Sequence, residues 1–293
     1  TYGDEIIYDI CLELLGATED QKNRFKINQI TGEAVDEFIR KMRITGVVSL
    51  RGNGRFIDFN SFEMEKIEYI LDNYVNYSNY QSKREFFDYM GSIDTEIVSL
   101  TQIVDDSIVF DARINTLNQW ATEYAKEDIA NELNILSRNG ESRNAILRVI
   151  DKPTRLEFLT SIALKQNFVD LDVRPNYHVD DEGLPTFTAS GGVADIECYD
   201  TDCNSLVEVT LMCARNQATN EMPAITRHLQ EAIEKDPNIT HFSMLVAPSI
   251  HTDTKYMAGY SKYQYGIDIL TLTITEFIEQ ISVNRRIMEM LPV

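Results

Sequence analysis

Two carboxylates set in short apolar runs are the residues of this sequence best placed to do chemistry. Asp195 lies in VADIECY and Glu208 in SLVEVTL, and the intervening DTDCN, Asp200 to Asn204, has the composition of a tight turn. A hairpin centred between Thr201 and Asp202 places Asp195 opposite Glu208, with β-carbons roughly 5 Å apart. Two ionised carboxylates at that separation repel unless a cation lies between them. A hard divalent ion such as Mg²⁺ takes oxygen ligands, keeps several waters and joins protein carboxylates to a phosphate. Asp195, Glu208 and the backbone carbonyl of Val209 could hold Mg²⁺, with Mn²⁺ as a substitute, and the expected reaction is metal-dependent phosphodiester hydrolysis. The competing reading is that these acids sit on exposed strand faces and point to solvent, as expected of Glu197 and Asp200. Spacing alone does not choose between the two.

The flanking elements must position this pair. Upstream, Asp151-Lys152-Pro153 suits the start of a helix, PTRLEFLTSIALKQ, with Leu156, Leu159, Ile162 and Ala163 as its buried stripe. Glu157 sits beside that stripe, where a glutamate is ordinarily a rim residue or an ion-pair partner. An irregular stretch follows, carrying His178 as a surface or turn histidine and ending in Gly191-Gly192. Those glycines allow a close approach by a ligand or another backbone, or serve only a turn. Downstream of the hairpin and the MCARNQATN loop, Asn220 reads as the cap of a helix from Glu221, with Pro223 in its first turn. Glu221 and His228 lie two turns apart on that helix and share a face. The runs HFSMLVAP and DILTLTI read as strands, and the segments from Thr252 to Tyr263 and TEFIEQI as helices. Residues 151–293 are thus expected to form an α/β domain with a mixed β-sheet flanked by helices.

The first 150 residues read differently. DEIIYDICLELL (4–15) and Glu33 to Met42 repeat apolar residues at helical spacing, the second with Val35, Phe38 and Ile39 on one face. ITGVVSLRGNGRFIDFN forms two apolar runs around Gly52-Asn53-Gly54, a strong hairpin pattern, and a helix over 61–76 closes the unit. Residues 1–80 therefore read as a winged-helix segment. Its second helix sets Glu33, Asp36 and Glu37 against Arg40, Lys41 and Arg43, and only Arg51 and Arg55 make the wing basic. That balance favours a structural or protein-contacting role over base reading. Residues 81–150 read as a helical linker, with helices over Lys83 to Met90, Ile108 to Tyr124 and Glu127 to Leu136. Trp120, on an apolar stripe, belongs to a core.

Composition bounds the rest. A chain of 293 residues, 43% hydrophobic and 25% charged, fits two or three soluble globular domains. A net charge of −20 argues against a generally basic nucleic-acid surface and leaves room only for a local patch. Cys11, Cys198, Cys203 and Cys213 show no Cys-x-x-Cys spacing, so neither a zinc site nor a disulfide framework is expected, and a reducing cytoplasm suits them. No signal peptide or bilayer-length apolar stretch is present, so no membrane association is expected.

Taken together, Asp195 in ADIE, Glu208-Val209-Thr210 in EVTL, Gln217, Glu221 in NEMP and Arg227-His228 in ITRHL resemble the nuclease domain of the AlwI family of type IIS restriction and nicking endonucleases. That family is a branch of the PD-(D/E)xK nucleases. The resemblance extends upstream to Glu157 in LEFLT and to the TGVVSLRGNGRFIDFN wing. It implies a restriction-endonuclease-like fold and cleavage of double-stranded DNA. It also implies Asp195, Glu208 and the Val209 carbonyl as metal ligands, Glu157 and Glu221 as secondary carboxylates, and His228 as a proton-transfer or phosphate-contacting group. Where the wider superfamily carries a lysine, this sequence has Thr210, as the AlwI family does; His228 is the first candidate for the lysine's work and Arg227 the alternative cation. The resemblance further implies a sequence-reading region ahead of the wing, mostly lacking here, and a partner that is a second nuclease subunit or a transient homodimer. Because Thr1 lies so close to the first helix, the chain is expected to be a fragment, removal of an initiator Met being the plainer alternative. A catalytically inactive winged-helix module that binds DNA or protein is the competing class.

Overall fold

A computed structural model describes residues 34–74, 81–91 and 104–291, with a few isolated positions besides. The helix expected over 4–15 lies largely outside them. The described chain runs α1 (Ala34–Ile44), β1 (Val48–Arg51), β2 (Phe56–Phe59), α2 (Met64–Asn73), α3 (Lys83–Gly91), α4 (Asp106–Glu123) and α5 (Lys126–Ser137). It continues through α6 (Lys152–Asn167), β3 (Asp172–Pro175), β4 (His178–Val179), β5 (Pro185–Phe187), β6 (Ile196–Tyr199) and β7 (Cys203–Val209). The last elements are α7 (Asn216–Asn220), α8 (Met222–Lys235), β8 (Thr240–Ala247), α9 (Thr252–Tyr265), β9 (Asp268–Thr273) and α10 (Ile274–Val283). Among the described residues no helix is long and apolar enough to cross a membrane.

A five-stranded mixed sheet, in the order β3-β6-β7-β8-β9, organises the C-terminal half. β3, β6 and β7 pair antiparallel, whereas β7, β8 and β9 are parallel. Parallel neighbours need a crossover, and α8 and α9 supply the two. Since successive side chains on a strand point to opposite faces, β8 feeds two cores. Phe242, Met244 and Val246 join the larger core with α6 and α10, while Leu245 joins a second with Met222, Ile225 and Leu229 of α8 and Ala258 of α9. Burial on both faces explains why β8 is continuously apolar in sequence.

The β6–β7 hairpin has the expected register: Ile196 pairs with Val207 and Tyr199 with Asn204, so one step further Asp195 faces Glu208. Helix α6 departs from expectation. Residues 154–164 are buried all round it, because α4 and α5 pack over the side away from the sheet. Glu157, read as a rim residue, is therefore buried at 3% exposure. Pro153 does fall in the first turn, but the Asp151 side chain makes no cap hydrogen bond.

Of the helices expected as a linker, α4 and α5 belong to the same core as the sheet, whereas the described side chains of α3 are exposed. Leu117, Ile129, Leu133 and Leu136 pack with Leu156, Phe158 and Leu159, and Trp120 stacks on Tyr124 at 4.4 Å with Phe158 edge-on at 5.0 Å. Further upstream, the hairpin turn holds Gly52, Asn53 and Gly54 all at positive φ, a conformation that glycine and asparagine adopt at least cost. Of the apolar face expected on α1, Val35 and Phe38 are exposed and Ile39 touches the core.

Candidate metal centre

The hairpin, α6 and the start of α8 bring four carboxylates to one end of the sheet. Asp195, at the entrance to β6, accepts a hydrogen bond at Oδ2 from the Val209 amide at 2.8 Å, and its own amide donates to Glu208 Oε2 at 3.4 Å. The two acids are thus cross-linked through each other's strand. Glu157 reaches in from α6, where its Oε2 accepts from the Ala189 amide at 3.0 Å. Glu221, the residue before α8, accepts from Thr210 Oγ1 at 2.9 Å. His228, two turns along, places Nδ1 2.9 Å from Glu208 Oε1. Its Nε2 is buried and has no hydrogen-bond partner among the described residues.

The electrostatics follow from this crowding. Burial and the neighbouring Asp195 charge, with a smaller contribution from Glu208, push the Glu157 carboxyl up to about 9 against the Ala189 amide. Burial and then Glu208 hold Asp195 well above the ordinary aspartate range, opposed by the Val209 amide. Burial and, more weakly, Glu208 also raise Glu221, opposed by the Thr210 hydroxyl. No lysine or arginine forms an ion pair with any of the four among the described residues. A buried group of acids without basic counter-charge is what a divalent cation relieves, and its donors are all hard oxygens. The residues present therefore fit such an ion: Asp195 and Glu208 would hold it with the Val209 carbonyl, and Glu157 and Glu221 would stand close by.

A second acidic group is more compact. Asp200, Asp202 and Cys203 in the β6–β7 turn bring three ligand-type atoms within 4.8 Å of one another. Arg286 already neutralises it: its Nη1 lies 3.0 Å from Asp202 and its Nη2 3.0 Å from Asp200. The looser cluster at Asp195, on which no lysine or arginine is paired among the described residues, is the stronger candidate.

Other sequence candidates resolve as structural parts. Gln217 is fully buried and braces the loop before α8, donating to Met212 O and Ser249 O and accepting from the His251 amide and Thr254 Oγ1. Thr210 does more than fill a strand position, since its hydroxyl ties Glu221 to the end of β7. Arg227, the alternative cation, is exposed beside Glu231 at 4.0 Å. His178 is exposed on Ser190, His241 meets the Asp236 carbonyl, and His251 caps α9. Asn220 ends the short α7 and does not cap α8, whose N-cap position falls to Glu221. Gly192 lies at φ +98°, where a side chain would meet nothing within 4 Å, so a turn explains it. Sequence reasoning had no pattern from which to find the Ala189 amide, because backbone donors leave no mark on residue type.

Comparison with known proteins places these observations in context. The family model for the AlwI restriction endonuclease matches residues 92–280, a segment that begins ahead of α4 and ends in α10. No curated protein sequence matches the chain. Among solved structures, the small subunit (R.BspD6I2) of the heterodimeric restriction endonuclease R.BspD6I aligns at 24% identity and a TM-score of 0.45, over 53% of this chain and 76% of that one. Restriction endonuclease FokI aligns at 11% identity and a TM-score of 0.38, over 87% of this chain and 45% of that one.

Proposed function

Because the chain belongs to the AlwI restriction endonuclease family, we infer that it is a divalent-metal-dependent DNA endonuclease of type IIS restriction or nicking type, hydrolysing phosphodiester bonds of double-stranded DNA. The observation that carries this reading is the convergence of Glu157, Asp195, Glu208 and Glu221 with no lysine or arginine paired to them among the described residues, His228 being the one basic side chain seen on Glu208. Mg²⁺, or Mn²⁺ in its place, would supply a water of lowered pKa and offset the charge that develops on the phosphate. Asp195 and Glu208 bind and orient at the hairpin, and the Val209 amide keeps the Asp195 carboxylate turned toward Glu208. Glu157 and Glu221 orient water from α6 and α8, each fixed by one hydrogen bond. His228, whose Nδ1 lies 2.9 Å from Glu208 Oε1, would serve as the proton-transfer or phosphate-contacting group. The helix–hairpin–helix over residues 34–74 is assigned to a winged-helix segment within residues 1–80, ahead of helices that lead into the nuclease fold. One such cluster cuts one strand at a time, so cleavage of both strands would draw on a second copy or a partner subunit.

The competing inactive module keeps Arg55 of the wing, which is exposed, but loses four other cations of the first unit. Arg40, Lys41, Arg43 and Arg51 are all in ion pairs with carboxylates. Nicking of supercoiled plasmid in Mg²⁺ or Mn²⁺, compared among wild type, Asp195→Ala and Glu208→Ala, tests the assignment. Metal-dependent nicking by wild type and its loss in both variants are expected; cleavage by the variants at the wild-type rate would sink it.

A further inference from the structure

The segment between β4 and β5 joins the first unit to the carboxylate cluster, and its grip at both ends is specific. At one end, Arg43 of α1 is 1% exposed and pairs with the fully buried Asp180 at 2.8 Å. The same guanidinium donates to the carbonyl of Pro185 at 2.7 Å, and Asp180 Oδ1 accepts from the amides of Glu182 and Leu184. Beside it, Arg51 of β1 holds both oxygens of Asp181 at 2.7 Å, and Ser49 Oγ and the Ser61 amide bind the same carboxylate. The turn is also wedged from behind. A side chain at Gly183 would come within 2.3 Å of Ala112 O and Thr116 Oγ1 of α4, so the loop cannot shift that way. At the other end, Ala189 donates its amide to Glu157. Ala189 is four residue steps from Pro185, a reach of at most about 14 Å when extended, and β5 lies against α6, the helix that bears Glu157.

We propose that Arg43 and Arg51 are positioning residues for Glu157, acting through the ribbon from Asp180 to Ala189, so that the seating of the first unit sets the geometry of the metal centre. The proposal rests on the metal-dependent reading above. The short tether gives it physical content: a displacement of the Asp180–Pro185 end has too few residues in which to be absorbed before Ala189. A buried ion pair adds little net stability over well-packed apolar residues, but it tolerates one geometry only, which suits a register device.

The test uses the full chain with two readouts, Mn²⁺ affinity by calorimetry and hydrogen exchange at the Ala189 amide. Arg43→Met with Asp180→Leu replaces the buried pair by apolar groups, and Asp181→Asn loosens the outer grip. Each is made alone and with Glu157→Gln. With the buried pair replaced, Mn²⁺ affinity is expected to fall about tenfold, the loss typical of a disturbed supporting residue, and Ala189 to lose protection. In the Glu157→Gln background the same change is expected to leave Mn²⁺ affinity as it stands. Unchanged affinity and protection, or an equal loss with Glu157→Gln, would overturn the proposal. If the double replacement fails to fold, Asp181→Asn decides by the same comparison. Should wild type bind no Mn²⁺, the metal reading fails by itself and the Ala189 exchange still decides the coupling.

Discussion

At the scale of single residues, the cluster's composition and its cost to folding are the same fact. Glu157, Asp195 and Glu221 are all held above their ordinary pKa values, first by burial and then by neighbouring carboxylates. Native sites that concentrate like charge trade stability for function. Asp195→Asn should therefore raise the unfolding temperature of the metal-free protein, corresponding to about 1 kcal/mol, while removing the upward shift that Mn²⁺ gives wild type. Differential scanning calorimetry with and without Mn²⁺ checks both halves, and a lower metal-free Tm would contradict this view of the cluster. The sequence disclosed Asp195 and Glu208 because acids are out of place in apolar strands, and their register followed from the turn. Glu157 was legible only through resemblance. A glutamate beside a helical stripe looks like a rim residue until α4 and α5 are seen to cover that side.

At the scale of elements, the grip of the first unit on the β4–β5 turn should be visible in acid. Burial by itself would raise the Asp181 carboxyl, but hydrogen bonds from Arg51, Ser49 and Ser61 outweigh it and hold the group below the usual range. A carboxyl depressed in the folded state stabilises above its unfolded pKa, and that contribution is lost as pH falls through the folded value. The difference in Tm between wild type and Asp181→Asn should accordingly be full above about pH 5 and shrink as pH drops below about 4. A difference independent of pH would show that the ion pair is not its source. Here the sequence misled in an instructive way. Arg43 read as part of the second helix's charge balance and Arg51 as part of a basic wing, yet both are taken up by Asp180 and Asp181, acids more than a hundred residues away. Charge counting along a chain cannot see partners supplied by tertiary contact.

At the scale of the whole molecule, α4 and α5, although they precede residue 151, pack into the same core as the sheet. Trp120, Ile129, Leu133 and Leu136 cover the side of α6 away from the sheet, which would otherwise expose its apolar residues. A fragment of residues 151–293 is expected to show no cooperative thermal transition by circular dichroism, in contrast to the full chain. A sharp melt of that fragment would instead support the boundary read from sequence at residue 151.

Local patterns determined the element types, the mixed sheet and the hairpin that faces Asp195 with Glu208, because periodicity and turn residues act over a few positions. Resemblance of short motifs in order pointed to the family. Only the tertiary structure decided which helices bury α6, that Thr210 and Ala189 fix the outer carboxylates, and that Arg43 and Arg51 turn to the β4–β5 segment. Those outcomes depend on which distant surfaces meet, and burial, which gives the carboxylates their raised pKa values, exists only once they have met.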